Sequence, residues 1–235
     1  MKKAAIAFAA WVCIALPAAA HQAPISQKNT KQERKLTAYQ NIKVDGPFEI
    51  TLVSGEPGTI TLNGEADMLT QIVTTVTDGT LSIALTEGFI VPEKNHVEIK
   101  VPFTALGRIE LKGNGSIDVD KTIKTDIKVS VDGCGTIALK TSTTNVEAWV
   151  LGAGEVKLRG SAQNFTCKII GCGSVHAYDL EATNVTALLS GPGEVQANCT
   201  QAITGRIKGN GTITFTGNPL IKDLKRSGSG AFTML

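Results

Sequence analysis

The sequence predicts an all-β fold, a parallel β-helix with rungs of about 19 residues and a β-rich cap at its N-terminal end. Two observations predict it. A Gly-x-Gly triplet recurs seven times at intervals of 18 to 20 residues, and the residues on both sides of each triplet alternate between apolar and polar. A fixed period of this length is typical of a solenoid, and alternation with a period of two is typical of a strand. The triplets are Gly113/Gly115, Gly133/Gly135, Gly152/Gly154, Gly171/Gly173, Gly191/Gly193, Gly209/Gly211 and Gly228/Gly230.

Apolar residues occupy the same positions relative to the triplets in successive repeats, which predicts files of inward side chains. The file before the triplets contains Leu111, Val131, Val150, Ile169, Leu189 and Ile207, with Arg226 in the last repeat. The first file after them contains Ile117, Ile137, Val156, Val175, Val195, Ile213 and Phe232, and the second contains Val119, Leu139, Leu158, Ala177, Ala197, Phe215 and Met234. We therefore expect successive turns to stack directly over one another around a shared core.

The glycines and a set of polar residues are expected to form the corners of each turn. The glycines fall in the inward phase, and they lack a Cβ and reach positive φ, so they fit the point where a rung bends. A polar arc, such as residues 140–145, is expected to close the turn. Asp126, Asn145, Asn164 and Asn184 each precede a triplet by seven residues, which predicts a ladder of stacked polar side chains at one corner.

Residues 41–235 are expected to form a single domain, in which residues 41–106 supply the first strands and the cap and residues 107–235 supply the glycine-marked rungs. Alternating strands are predicted at residues 48–52, 60–62, 81–85 and 97–101. Asp78-Gly79 predicts a tight hairpin, and residues 67–73 a single helical turn. A cap is expected because an uncovered first rung would expose both a core and an unpaired strand edge.

Residues 1–20 have the pattern of a secretory signal peptide. Lys2 and Lys3 precede an apolar run that is too short for a transmembrane helix, and cleavage is predicted near Ala20, before His21. Residues 21–40 are polar and aperiodic, which predicts a flexible leader with ordered structure beginning near Ile42. We therefore expect an extracytoplasmic protein, located in the periplasm, on the outer surface or in the medium.

The charge balance argues against one class of partner. Removing residues 1–20 takes away two of the 23 basic residues and none of the 21 acidic ones, which leaves 21 of each. A formally neutral chain is not expected to bind nucleic acid. We also expect no cofactor, no metal site and no transmembrane segment.

Four segments carry a family resemblance. They are Gly46-Pro47-Phe48-Glu49-Ile50, Asp78-Gly79-Thr80-Leu81-Ser82-Ile83, Val97-Glu98-Ile99-Lys100-Val101-Pro102 and Ile109-Glu110-Leu111-Lys112-Gly113-Asn114-Gly115. With these segments, residues 40–235 resemble the GIN-domain family of autotransporter adhesin heads. The resemblance implies a single-stranded right-handed β-helix and an adhesin-type function, and it supplies no catalytic motif.

Four cysteines remain after removal of the signal peptide, and no disulfide is predicted among them. Cys134 and Cys172 are the middle residues of triplets two rungs apart, a separation of about 9.6 Å that exceeds the reach of a disulfide. Cys167 and Cys199 fall in the inward phase, where a thiol packs as a small apolar side chain.

A predicted apolar patch, defined as Trp149, Leu151, Ile170 and Leu188, faces outward before the triplets of successive repeats. Exposed apolar side chains on a solenoid face mark a partner, a ligand or a covering part of the same chain. One alternative is that the N-terminal strands or a second copy cover the patch. The other is that the patch is a binding face with Trp149 as its anchor.

A second outward face follows the triplets and carries a mixture of polar groups, among them Glu155, Lys157, His176, Tyr178 and Glu194. Glu155 and Glu194 are expected about 9.6 Å apart with His176 nearby, close to the carboxylate separation of inverting glycosidases. A solvated strand face also produces such mixtures, so this face is a catalytic candidate only if the protein acts on polysaccharides.

We predict an extracytoplasmic, non-enzymatic protein that binds or adheres through its exposed strand faces. A glycan or a surface protein is the expected partner. Two alternatives stay open: a polysaccharide-active enzyme, and a structural envelope protein that forms homo-oligomers through its last rung, where Phe232 and Met234 have no later strand to cover them.

Overall fold

The computed structural model describes residues 29–91 and 96–235, which form one 17-stranded sheet wound into a solenoid, together with a short helix. The helix α1 spans Ala66–Thr70. The strands are β1 (Thr30–Lys35), β2 (Asn41–Asp45), β3 (Glu49–Ser54), β4 (Thr59–Gly64), β5 (Ile72–Thr77), β6 (Thr80–Leu85), β7 (Glu98–Phe103), β8 (Arg108–Gly113), β9 (Ser116–Val119), β10 (Ile127–Gly133), β11 (Thr136–Gly152), β12 (Glu155–Gly171), β13 (Ser174–Ser190), β14 (Glu194–Lys208), β15 (Thr212–Thr216), β16 (Ile221–Ser227) and β17 (Ala231–Met234). The predicted signal peptide lies outside the described residues. Within those residues, no helix has the length and apolar character that crossing a membrane requires.

The glycine-marked rungs stack in parallel and in register, as the files of inward residues predict. Val131 pairs with Val150, Val150 with Ile169, and Ile169 with Leu189, and all four side chains are buried. The strands β11, β12 and β13 each run for 17 residues, so the predicted closing arc pairs as strand too. Each rung therefore completes the core of its neighbours.

The triplets form the bend of each rung, between the strand segment that precedes them and the one that follows. The first glycine of every triplet takes a positive φ, for example +125° at Gly171. Other side chains are strained in that conformation, so the first position requires glycine for its backbone freedom.

The second glycine of each triplet corrects one part of the prediction, because none of the seven takes a positive φ. These glycines are buried against an adjacent rung instead. A Cβ on Gly173 would lie 2.5 Å from Val150 Cγ1 and 2.6 Å from the carbonyl oxygen of Gly154. A Cβ on Gly193 would lie 2.6 Å from Gly173 O, and one on Gly211 would lie 2.5 Å from Gly193 O. Close approach of the rungs, and not backbone freedom, therefore requires glycine at the second position. The buried second glycines are Gly115, Gly135, Gly154, Gly173, Gly193, Gly211 and Gly230.

The N-terminal strands form where they are predicted, but their order in the stack differs from their order along the chain. The predicted strands correspond to β3, β4, β6 and β7, the helical turn to α1, and the hairpin at Asp78-Gly79 joins β5 to β6. The strand β2 lies between β6 and β8, and β3 lies between β7 and β9. The rung of residues 41–54 is therefore inserted beneath the first glycine-marked rung.

Ordered structure begins before Ile42, so the predicted boundary of the leader is wrong. The strand β1 pairs antiparallel with β4, and Arg34 donates through Nη1 to Ile72 O and through Nη2 to Leu69 O, each at 2.6 Å. Tyr39 is buried and donates its hydroxyl to Pro102 O at 2.6 Å. The strand escapes prediction because its side chains are mostly exposed, so backbone pairing and the Arg34 contacts hold it without an apolar pattern.

Cations close the C-terminal end of the solenoid. On β16, Lys222 and Arg226 occupy the positions that pair with the inward residues Ile203 and Ile207. Arg226 donates to Gly230 O at 2.7 Å, and Phe232 packs against the core as a partly buried side chain. Charged residues on an end strand oppose edge-to-edge pairing. The cations on β16 therefore give less support to self-association at this end than the apolar Phe232 and Met234 suggest.

Candidate binding surface

The triplets divide the outer surface into two broad strand faces. The pre-glycine face is formed by β8, β10, the C-terminal parts of β11–β14, and β16. The post-glycine face is formed by β9, the N-terminal parts of β11–β14, β15 and β17. Because side chains alternate along each strand, every second residue of these segments points outward.

The four residues of the apolar patch lie together on the pre-glycine face. Trp149 pairs with Lys168, which pairs with Leu188, and Leu151 pairs with Ile170 on the adjacent strand. Leu151 is 40% exposed and Ile170 is 45% exposed, while Trp149 and Leu188 are partly exposed. The predicted juxtaposition is therefore present, and its side chains reach the surface.

The N-terminal strands do not cover the patch. They extend the sheet away from it, with β2 pairing to β6 and β8, and β5 forming the next strand outward from β6. The alternative in which these strands lie over Trp149 is therefore wrong, and within the described residues the patch is a free surface of the single chain.

Two lysines flank the indole of Trp149. Lys128 Nζ lies 3.5 Å from the ring centroid and Lys168 Nζ lies 5.4 Å from it. Lys128 also forms an ion pair with Glu147 at 3.2 Å. Cation–π contacts of this kind attract the ammonium group to the ring and help to orient the indole. Both lysines escape prediction because they lie on the rungs next to that of Trp149; aligning the repeats places them beside it.

A shallow groove of about 400 Å³ continues the patch toward the C-terminal rung. Ile170 and Leu188 belong to both, and Leu189 and Ile207 contribute to its floor. Its charged lining residues are all cationic, and they are Lys168, Arg206, Lys208, Lys225 and Arg226. Asp223, beside the groove, forms a hydrogen-bonded ion pair with Arg206 and lies 3.9 Å from Lys225. The repeat pattern of the sequence does not predict this groove.

The post-glycine face brings four of its five predicted residues into one connected chain of contacts. Glu155 contacts Lys157 Nζ at 2.9 Å and His176 Nε2 at 3.0 Å. His176 Nδ1 lies 2.9 Å from Gln196 Oε1, and Gln196 Nε2 donates to Glu194 Oε1 at 2.8 Å. Tyr178 lines a cleft beside this chain with Lys157 and His176. The carboxylates of Glu155 and Glu194 are thus connected through the side chains of His176 and Gln196.

The predicted polar ladder is present at the corner away from the triplets. Asn184 Nδ2 donates to Asn164 Oδ1 at 3.0 Å, Asn164 Nδ2 to Asn145 Oδ1 at 3.0 Å, and Asn145 Nδ2 to Asp126 Oδ2 at 2.6 Å. Hydrogen bonds donated by Thr143 and Asn145 hold the pKa of the Asp126 carboxyl below its usual value. These hydrogen bonds link successive rungs at this corner and hold them in register.

The four described cysteines are free thiols placed as the alternation predicts. Cys134 and Cys172 are exposed, and Cys167 and Cys199 are buried. Burial raises the pKa of the Cys167 thiol to about 12. A protonated, enclosed thiol is a packing residue and not a nucleophile.

Comparison with known proteins gives a family and a set of similar structures. Residues 38–219 match the family model described as "Putative auto-transporter adhesin, head GIN domain". A crystal structure of a "putative adhesin" from Bacteroides fragilis NCTC 9343 is 25% identical, with a TM-score of 0.81 and coverage of 89% of this chain and 98% of that one. No curated protein matches the chain.

Two further crystal structures, both from Parabacteroides, share the fold. A "putative lipid binding protein" from Parabacteroides distasonis ATCC 8503 is 20% identical, with a TM-score of 0.70 and coverage of 89% of this chain and 98% of that one. A "putative adhesin" from Parabacteroides merdae ATCC 43184 is 18% identical, with a TM-score of 0.66 and coverage of 89% and 97%. The parallel β-solenoid is thus the architecture of the group.

Proposed function

The chain belongs to the family of the auto-transporter adhesin head GIN domain, and from this premise we propose that it is a non-enzymatic binding module of adhesin type. It holds its partner on the pre-glycine face, with Trp149 as the anchor. The observation that carries the proposal is the apolar patch, whose side chains are exposed on adjacent strands and are left uncovered by the N-terminal strands.

Trp149 fits the role of anchor because of its size and its fixed position. Aromatic anchors dominate binding energy when they are large and held in place before binding. Lys128 holds the indole from one side, and Leu151, Ile170 and Leu188 supply apolar area around it. The post-glycine face offers a weaker case, since Glu155, His176 and Gln196 already satisfy one another.

The module works outside the cytoplasm in this proposal. The support is the pattern of residues 1–20, with its two lysines, apolar run and Ala18-Ala19-Ala20 cleavage pattern. N-terminal sequencing of the protein exported by its host should begin at His21. Recovery of the uncleaved chain from the cytoplasm would contradict the location without bearing on the binding face.

The binding proposal is tested on an array of envelope components that includes glycans, surface proteins and lipids. Wild-type mature protein should be retained by at least one component, and Trp149→Ala should lower that affinity by about tenfold or more, the loss typical of an interface anchor. The matched control is Tyr178→Ala, which removes a partly exposed aromatic ring from the other face.

The control should bind like wild type, and both variants should keep the wild-type melting temperature to within a few degrees. Equal losses in the two variants, or a loss confined to Tyr178→Ala, would transfer the function to the post-glycine face and overturn the proposal.

A further inference from the structure

The cations around the apolar patch point to the chemistry of the partner. We infer that the pre-glycine face docks on an anionic lipid surface, with lipid phosphates meeting the lysines and arginines while Trp149 and its aliphatic neighbours enter the boundary between headgroups and acyl chains. This inference rests on the proposed function, because it names a partner for the same face.

The charged residues that line the groove in this face are of one sign, on a chain that is formally neutral after removal of residues 1–20. All five charged residues that line the groove are cations. The ion pairs of the described residues place Asp223 beside Arg206 and Lys225, and they include neither Lys168 nor Lys208. Clustered cations without carboxylate partners are the feature that anionic membrane surfaces attract.

The apolar residues of the face have the types and placement of an interfacial membrane contact. Tryptophan favours the boundary between water and hydrocarbon because its ring is apolar and its N–H is polar. Leu151 and Ile170 stand exposed beside it, and the long lysine side chains let their ammonium groups reach headgroups while their methylenes cover apolar surface.

The position of Trp149 argues against a sugar partner. A sugar ring stacks on an open aromatic face, but Lys128 Nζ already lies 3.5 Å from the centroid of the indole and Lys168 Nζ 5.4 Å from it. A partner of Trp149 therefore meets an indole that already has two ammonium groups near its ring. That arrangement suits a phosphate-rich boundary better than a carbohydrate ring.

The shape of the face matches an extended partner. The patch and the groove share Ile170 and Leu188, so the contact surface is continuous from β11 through β14 to β16. Those strands lie at successive spacings of about 4.8 Å, which gives a surface roughly 19 Å across. A shallow, continuous strip of this size contacts a bilayer surface along its whole length.

The test is co-flotation of the mature protein with vesicles of phosphatidylglycerol and phosphatidylcholine, compared with vesicles of phosphatidylcholine alone. Wild type should float with the mixed vesicles, and high salt should release it. The double variant Lys168→Gln, Lys208→Gln should lose about tenfold or more in affinity, and Trp149→Ala a similar amount. Lys157→Gln on the post-glycine face is the matched control and should bind like wild type.

Three flotation results would overturn the inference: equal flotation with the two vesicle types, absence of flotation, or a loss in Lys157→Gln equal to that in the double variant. Retention on dextran sulfate that exceeds vesicle binding and is unchanged by Trp149→Ala would also overturn it, since the partner would then be a polyanion without a lipid phase.

The array separates this failure from failure of the proposed function. Trp149-dependent retention by a glycan or protein, without vesicle binding, overturns the lipid inference alone. Absence of Trp149-dependent retention by every component, vesicles included, overturns both.

Discussion

The two faces that diverge from the glycine triplets are built from the same rungs, yet they differ in how their polar groups are used. On the post-glycine face, polar side chains form one chain of contacts across three strands, in the order Lys157, Glu155, His176, Gln196 and Glu194. On the pre-glycine face, exposed apolar side chains stand among cations that outnumber their carboxylate partners. The polar side chains of the first face contact one another. The second face exposes apolar side chains beside Lys168 and Lys208, which take part in none of the ion pairs of the described residues.

The repeat thus determines where side chains point, but it does not determine whether a face is free to bind a partner. Neighbours on a solenoid face come from residues 18 to 20 apart in the sequence, as Lys168 and Leu188 are. The chemical character of a face therefore depends on contacts between side chains of adjacent rungs, and the sequence of a single strand does not determine it.

A substitution at a triplet should destabilise both faces together. Gly171→Ala places a Cβ about 2.4 Å from the carbonyl oxygen of Gly152 at a φ of +125°. Strain and overpacking should lower the free energy of unfolding by roughly 2–5 kcal/mol, measured by urea denaturation. Gly79→Ala is the control, because its φ is also positive and no atom lies within 4 Å of the added Cβ. It should cost about 1 kcal/mol. Equal losses would mean that the triplets are not tightly stacked.

A second prediction compares how much each face contributes to binding affinity. Leu188→Glu puts a carboxylate into the apolar patch and should weaken binding to the component retained on the array by about tenfold or more. Thr214→Glu, at an outward position of β15 on the post-glycine face, should leave binding unchanged. Isothermal titration gives both affinities. A stronger effect from Thr214→Glu would reverse the assignment of the faces.

A smaller change in stability is expected when the contact chain of the post-glycine face is interrupted. Gln196→Ala removes the link between His176 and Glu194 and should lower the free energy of unfolding by about 1 kcal/mol, without altering binding. Thermal melting and the array supply the two measurements. If stability were unchanged and binding were lost, the contact chain would belong to a binding site and not to the scaffold.

The smallest effect concerns pH at the corner ladder. Because the pKa of Asp126 is depressed in the folded state, its contribution to stability is present above about pH 4 and is lost as the pH falls through the depressed value. Asp126→Asn keeps an acceptor for the ladder and removes that titration. Between pH 5 and pH 2 the melting temperature of wild type should therefore fall further than that of the variant. Parallel curves would show that Asp126 does not contribute through its charge.

The inward files, the triplet bends and the Asp126–Asn184 ladder could be predicted because each depends on spacing within one repeating pattern. The apolar patch could be predicted for the same reason. The strand β1 could not, since its exposed side chains leave no apolar pattern. The insertion of β2 and β3 between later strands could not either, because sequence order does not record which rung lies beneath Leu111. Lys128 and Lys168 were missed as partners of Trp149 because that contact spans different rungs.

The separate roles of the two glycines in a triplet also could not be predicted from the sequence. Spacing alone treats Gly171 and Gly173 alike, since both are glycines in the same inward phase. Only the stacking of the rungs distinguishes the positive φ of Gly171 from the close contact of Gly173 with the rung below it.

The most direct test of the difference between the faces is hydroxyl-radical footprinting of the wild-type protein, alone and bound to the envelope component that retains it on the array. The account predicts that binding protects Trp149, Leu151 and Leu188 from oxidation and leaves His176 and Tyr178 as reactive as in the free protein. Protection of His176 and Tyr178, with the apolar patch still fully reactive, would contradict it.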